Sequence, residues 1–180
     1  WGLIPSWAKD RRIGSRMINA RAETLAEKPA FKRLFATRRC LVPMDGFYEW
    51  TPGSPDGPLT AKGTPMKQPV YIHPAGDIDL LAVAGLWTAW KDPDDPEGRF
   101  LHSVTLVTTA ANAAMAPIHD RMPAILPPEH WARWLDPDDH DTEGLARLLD
   151  GGPADLLAMH RVTTDVNNVG NNRPDLIAPI

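Results

Sequence analysis

The chain has 180 residues, the size of one domain, and 43% of them are apolar, enough for a core that hides roughly 70% of the extended surface without a disulfide or metal. Its single cysteine, Cys40, excludes an internal disulfide framework and every paired-cysteine metal site, and a net charge of −4 on 19 basic and 23 acidic residues gives no overall pull toward a polyanion. No stretch approaches the roughly 18 apolar residues of a membrane span and no signal peptide opens the chain, so the expectation is a soluble, cytoplasmic protein.

The opening Trp1-Gly2-Leu3-Ile4-Pro5-Ser6-Trp7 is too apolar and aromatic for a disordered tail, and Trp1 is not a start methionine, so a preceding segment is expected. Residues 24–38 place apolar side chains near helical spacing, with Thr24 as N-cap, Glu27 completing a capping box and Pro29 in the second turn. Runs of strand character follow at residues 39–42, 47–51, 70–73, 80–90 and 103–109. The long run 80–90 lacks alternation, which suits a strand buried on both faces or one interrupted by a bulge at Gly85. Residues 53–64 and 91–98 read as polar loops rich in proline and glycine, and residues 128–135 and 142–149 as short helices begun by Pro or Thr. With nineteen prolines and thirteen glycines cutting the chain into short elements, and no βαβ alternation or repeat, the expected class is a single α+β domain.

Charge is unevenly placed. Lys9, Arg11, Arg12, Arg16, Arg21, Lys28, Lys32, Arg33, Arg38 and Arg39 face only Asp10, Glu23 and Glu27, an excess of seven positive charges that leaves the rest of the chain at −11. Such a block is the electrostatic footprint of phosphate binding or else a solvated helical face. Trp1, Trp7, Phe31 and Phe35 are interleaved with it, either as a surface that stacks bases or as core anchors.

Several sites are absent from the sequence. There is no Gly-x-Gly fingerprint and no Walker loop. Asp136, Asp138, Asp139 and Asp141 lack the glycine and downstream glutamate of a calcium loop and read as a solvated turn feeding a helix N-terminus. Cys40, in a strand, reads as a small hydrophobe rather than a nucleophile. No metal site and no cofactor are expected.

Three polar residues stand against apolar backgrounds. Glu49, in Gly46-Phe47-Tyr48-Glu49-Trp50, is either desolvated among aromatics, which raises a carboxyl pKa toward the range of general acid/base work, or turned away from them by strand alternation. His119, in Pro117-Ile118-His119-Asp120-Arg121-Met122-Pro123, is either a proton donor oriented by Asp120 or a structural histidine. Asn19, in Met17-Ile18-Asn19-Ala20-Arg21-Ala22-Glu23, either caps local structure or orients a reacting group.

These segments, with Arg39-Cys40-Leu41-Val42-Pro43, Lys67-Gln68-Pro69 and Val166-Asn167-Asn168-Val169-Gly170-Asn171, occur in order along the whole chain and closely resemble the SOS response-associated peptidase (SRAP) family. The resemblance implies an α+β domain with a β-rich, barrel-like core, a few short helices and a positively charged groove for single-stranded DNA. It implies covalent crosslinking to abasic sites, by the amine and thiol of an N-terminal cysteine that attack the ring-opened sugar and close a thiazolidine. Residues 1–180 would then be the domain lacking that N-terminal segment, and the chain as written would not crosslink. The resemblance assigns Asn19 to positioning the cysteine and sugar, Glu49 to proton movement and His119 to sugar ring opening and crosslink reversal. Arg16 and Arg21 become phosphate contacts and Trp7 an aromatic wedge. Arg121 becomes a further groove cation, unless it is paired with Asp120. A monomer is expected, with abasic single-stranded DNA as partner and, when bound, association with the nucleoid. Two alternatives stay open: a thiol autopeptidase that removes its own N-terminal extension, and a non-catalytic single-stranded DNA binder.

Overall fold

The computed structural model describes residues 1–180. Eight strands form two sheets. The first contains β1 (Asn19–Arg21), β2 (Arg39–Met44), β5 (Leu81–Lys91), β6 (Phe100–Ala110) and β7 (Arg121–Pro123), in the order β1-β6-β5-β2 with β7 also against β6. The second contains β3 (Phe47–Thr51), β4 (Gln68–Pro74) and β8 (Leu157–Arg161), in the order β3-β4-β8. Of the pairings only β1 with β6 is parallel. Three helices, α1 (Pro29–Thr37), α2 (Pro128–Leu135) and α3 (Thr142–Ala146), complete an α+β domain together with short 3-10 turns.

The first sheet is buried on both faces, and β5 shows why its sequence does not alternate. Leu81 and Val83 enter an apolar cluster shared with Val70, Ile72 and Leu157 of the second sheet. Ala84 and Leu86 enter the other cluster, with Phe31 and Phe35 of α1, Trp134 of α2 and Leu145 of α3. A strand with partners above and below needs apolar residues at both parities. Of the two readings of this run, burial on both faces holds and the bulge at Gly85 does not, since β2 and β5 pair without interruption from Arg39↔Leu86 to Met44↔Leu81. Gly85 serves close packing instead: a Cβ there would stand 3.0 Å from Cys40 Sγ and 3.0 Å from a Val42 methyl.

The expected helix over 24–38 is two elements. Residues Ala22–Thr24 form a 3-10 turn, and the α-helix starts only at Pro29, with Lys28 as an extended N-cap at φ −70°, ψ 126°. Proline disfavours the helical region for the residue before it and suits the first helical position itself, so Pro29 sets the start and Thr24 caps nothing. Phe31 and Phe35 are core residues, not a base-stacking surface.

The barrel-like closure also fails to appear. No ladder joins the two sheets: β3 pairs only with β4, and β1 and β7 only with β6. Each of the latter two is three residues long, so the edge of β6 is covered in short pieces, beginning with Gly2 N–H donating to Val104 O at 2.9 Å. Between that edge and β3 the seam is open.

Arg39, counted in the basic block, is buried at 7% exposure and faces inward. Its guanidinium donates to the carbonyls of Phe35 and Ala36 at the end of α1, to Trp134 in the last turn of α2, and to Asp136 and Asp139 beyond it. Carbonyls left over at helix C-termini need donors and favour a cation. Burial lowers the Arg39 pKa, but the nearby Asp139 and Asp136 oppose that shift. The aspartate turn behaves as expected: Asp141 caps α3 by accepting from Gly144 N–H at 2.9 Å.

Candidate functional site

The open seam is a cavity of about 560 Å³ whose walls include Asn19 and Arg21 of β1, Glu49 of β3, Thr108 of β6, His119 and Arg121, with Trp1 and Arg16 beside them. Simple burial rules place these side chains. In β1, Ala20 is 2% exposed and locked in the core, so its neighbours Asn19 and Arg21 both turn outward into the seam. In β7 the buried residue is Met122, which leaves Arg121 and Pro123 on the seam side.

In β3, alternation decides the environment of Glu49. Tyr48 and Trp50 lie on the outer face, their ring centroids 6.4 Å apart and the Tyr48 ring 5.3 Å from that of Tyr71. Phe47 packs into the cluster between the sheets, and Glu49 shares its parity, half-buried in the seam. Alternation puts the carboxylate on the opposite side of the strand from Tyr48 and Trp50, yet both rings reach its surroundings, Tyr48 lining the same cavity and Trp50 the depression beside it.

His119 ends a tight turn. Asn112 Oδ1 accepts from Ala114 and Met115 N–H, both at 3.1 Å, and His119 N–H donates to Met115 O at 3.0 Å, with Met115 fully buried. The imidazole is exposed. Its Nδ1 accepts from Arg121 N–H at 2.9 Å and stands 3.2 Å from Asp120 Oδ1, which leaves Nε2 free for chemistry.

Arg121 does not pair with Asp120. Neighbours in an extended chain point to opposite sides, and the guanidinium meets Glu23 instead, Nη1 to Oε1 at 2.5 Å and Nη2 to Oε2 at 3.0 Å, with Nη2 also donating to Thr108 O at 2.7 Å. The Arg121 guanidinium holds the Glu23 carboxyl below the usual carboxylate range.

Two further depressions adjoin the seam. One shares Arg16 with it and is lined by Trp7, Lys9 and Arg12. The other, about 500 Å³, shares Glu49 and His119 and adds Trp50, Lys67 and Asn167. The three make one trough with Glu49 and His119 accessible from two sides. Trp7, 65% exposed, stands in the first depression rather than at the centre. The basic block thus divides by position. Lys9, Arg11, Arg16 and Arg21 make no ion pair; Lys9, Arg16 and Arg21 line the trough and Arg11 a neighbouring depression that shares Trp1 with it, whereas Arg12 is held by Asp10 and none of the cations from Lys28 to Arg39 lines any of these depressions.

Cys40 lies outside the trough, on β2, and burial pushes its thiol up to about 11, so it is not a thiolate at neutral pH and does not join Asn19, Glu49 and His119. No group of three or more His, Cys, Asp or Glu side chains is placed to hold a metal ion.

Sequence reasoning brings six of its seven candidates to the seam and misses others. Trp1 is fixed there by its indole N–H donating to Ile18 O at 2.9 Å. Glu23 has a readable signal, being one of three acids in a basic stretch and four residues after Asn19. Lys67 is readable only through the Lys67-Gln68-Pro69 motif of the family resemblance, and Thr108 carries no signal, since its pairing with Arg21 of β1 joins positions distant in sequence.

Known proteins match this chain throughout. The abasic site processing protein YoqW of Bacillus subtilis is 44% identical over 177 residues, covering 98% of this chain and 73% of that one. The abasic site processing protein HMCES of Xenopus tropicalis is 36% identical, covering all of this chain and 56% of that one. A crystal structure of a protein from Bacteroides thetaiotaomicron superposes with a TM-score of 0.83 at 29% identity, over the whole of this chain and 75% of that one. The pattern of the SOS response associated peptidase (SRAP) family matches residues 1–169, a span that holds every wall of the seam, and the chain belongs to that family.

Proposed function

We propose that the protein processes abasic sites in single-stranded DNA by forming a covalent crosslink, with the seam as the reaction chamber. The carrying observation is convergence: Asn19, Glu49 and His119 come from three distant parts of the chain to one trough, with Arg16 and Arg21 beside them. The relatives' names supply the substrate class.

The chemistry asks for a neutral amine near neutral pH, which an α-amine with a pKa near 8 provides. Attack on the C1′ aldehyde gives a carbinolamine, loss of water gives a Schiff base, and addition of the adjacent thiol closes a thiazolidine. Cys40 does not supply that thiol, so in this reading it comes from an N-terminal cysteine outside these 180 residues. Glu49 takes and returns the protons of amine attack and dehydration. His119, through Nε2, delivers a proton to the ring oxygen as the sugar opens, and Asn19 holds the sugar by its amide. Arg16 and Arg21 take the flanking phosphates, where a guanidinium matches two oxygens at once.

The test is a denaturing gel of single-stranded DNA with one abasic site, incubated with the 180-residue form and with a form carrying an N-terminal cysteine segment. A heat-stable shifted band for the longer form alone supports the proposal. If neither form shifts while both retard the DNA on a native gel, the protein is a non-covalent single-strand binder.

A further inference from the structure

Glu23 sits in the 3-10 turn directly after β1 and spends both carboxylate oxygens on Arg121. With Thr108 O as a third acceptor, the guanidinium is fixed across the β6–β7 edge. The same arginine serves His119 through its backbone, whose N–H donates to Nδ1 at 2.9 Å. A backbone N–H only donates, so as long as this bond is made Nδ1 is the acceptor and the neutral imidazole carries its proton on Nε2.

That arrangement has competitors. Arg121 O stands 3.1 Å from Nδ1 and Asp120 Oδ1 3.2 Å, both acceptors that favour a proton on Nδ1 instead. A small rotation of the 119–121 backbone exchanges the donor for one of them and inverts the tautomer. The charged groups around His119 are Asp120 on its own turn, Arg121 with Glu23, Arg21 from β1, Glu49 from β3 and Lys67 before β4. Asp120 acts directly on Nδ1, and it pulls against the observed arrangement. What opposes it is the fixed position of the Arg121 backbone.

The geometry points to Glu23 as a positioning residue: by clamping the Arg121 side chain it holds the Arg121 backbone N–H on His119 Nδ1 and keeps the imidazole proton on Nε2, the nitrogen that is free for chemistry. Without the carboxylate, a guanidinium only 23% exposed keeps Thr108 alone, by its carbonyl and more weakly its hydroxyl, and turns toward water or another anion. The strand end that carries it then loosens, and Asp120 draws the proton to Nδ1.

The consequence for catalysis rests on the reading of His119 as the proton donor, but the tautomer is a property of the free protein and is measured without DNA. In the 180-residue chain labelled with ¹⁵N-histidine, at a pH where imidazoles are neutral, His119 shows the Nε2–H tautomer. Glu23→Gln raises the Nδ1–H population several-fold, and Glu23→Asp, which keeps the charge, restores most of the original state. Arg121→Lys, which cannot engage both oxygens, shifts the tautomer as Glu23→Gln does and carries the test if that variant fails to fold. An unchanged Nε2–H signal in both Glu23→Gln and Arg121→Lys overturns the inference, as does an Nδ1–H tautomer in the parent. A missing crosslink on the denaturing gel overturns the proposed function and leaves this result standing. Where the crosslink forms, Glu23→Gln lowers its rate at saturating DNA several-fold without weakening DNA affinity.

Discussion

A proton-transfer role for Glu49 and His119 separates chemistry from binding. General acid or base groups contribute on the order of 10²–10⁴-fold to rate, so Glu49→Gln is expected to slow covalent product formation by about 10²-fold or more, and His119→Ala similarly. Native-gel affinity for the same DNA stays within about two-fold for either variant, since neither is a cationic phosphate ligand. Equal losses in affinity and crosslink would reassign both residues to binding. The Glu23–Arg121 pair makes a separate claim about pH. The Glu23 carboxyl is depressed in the folded state, chiefly by its hydrogen bond with Arg121. Its stabilisation is therefore full above the unfolded carboxyl range and drains away as acid protonates the folded carboxylate. Urea denaturation should show Glu23→Gln losing stability relative to the parent at neutral pH, with the gap closing as pH falls below about 4. A gap that persists at low pH would show that shape, not charge, makes the contact.

At the scale of elements, much of the structure hangs on how ends are finished. Arg39 ties the close of α1 to the close of α2 through five carbonyls, with no carboxylate in direct contact. Hydrogen bonds from a charged donor are worth about 1.5–3 kcal/mol each when lost with a buried partner, and several are lost together. Arg39→Met, which keeps the stem and removes the donors, is expected to cost about 3 kcal/mol, or roughly 6–12 °C of Tm for a chain of this size. Thermal unfolding measures it, and a shift under 2 °C would mean the helix ends find water instead. The β2–β3 turn has a comparable constraint: a Cβ on Gly46 would collide with Ile72 O and the Tyr71 ring. Gly46→Ala is expected to destabilise by about 2 kcal/mol and to reduce crosslinking, because the turn sets where β3 holds Glu49.

These ends also explain what the sequence conceals. The run 47–51 appears as β3 and 128–135 as α2 with the expected bounds, because periodicity and a leading proline are local signals. The three-residue β1 and β7 are invisible to any window of that kind. They are strands only because β6 offers an edge, and that edge is supplied by residues about ninety positions from β1. Arg39 is a harder case. Counted by charge it is one more cation in a basic block, and nothing local says that it points inward to two helix ends.

For the molecule as a whole, the basic stretch predicts a phosphate-binding face, and the fold divides that stretch in two. Lys9, Arg11, Arg16 and Arg21 are unpaired and border the trough, whereas Lys28, Lys32 and Arg33 are exposed around α1, away from it. In the proposed function, the charge offered to DNA is then about four cations rather than ten. Counterion release on a single strand gives a slope of about −0.7 per phosphate contact in log affinity against log salt, so three or four contacts predict a slope of about −2 to −3. Arg21→Glu should flatten it by at least one contact and weaken binding across sequences. Lys32→Glu with Arg33→Glu removes as much formal charge from the chain twice over, and with salt at a Debye length of about 8–10 Å it should leave both slope and affinity nearly unchanged. If the α1 double variant instead weakens binding as much as Arg21→Glu, the strand runs over the helical layer, and the open seam is not the floor of its path.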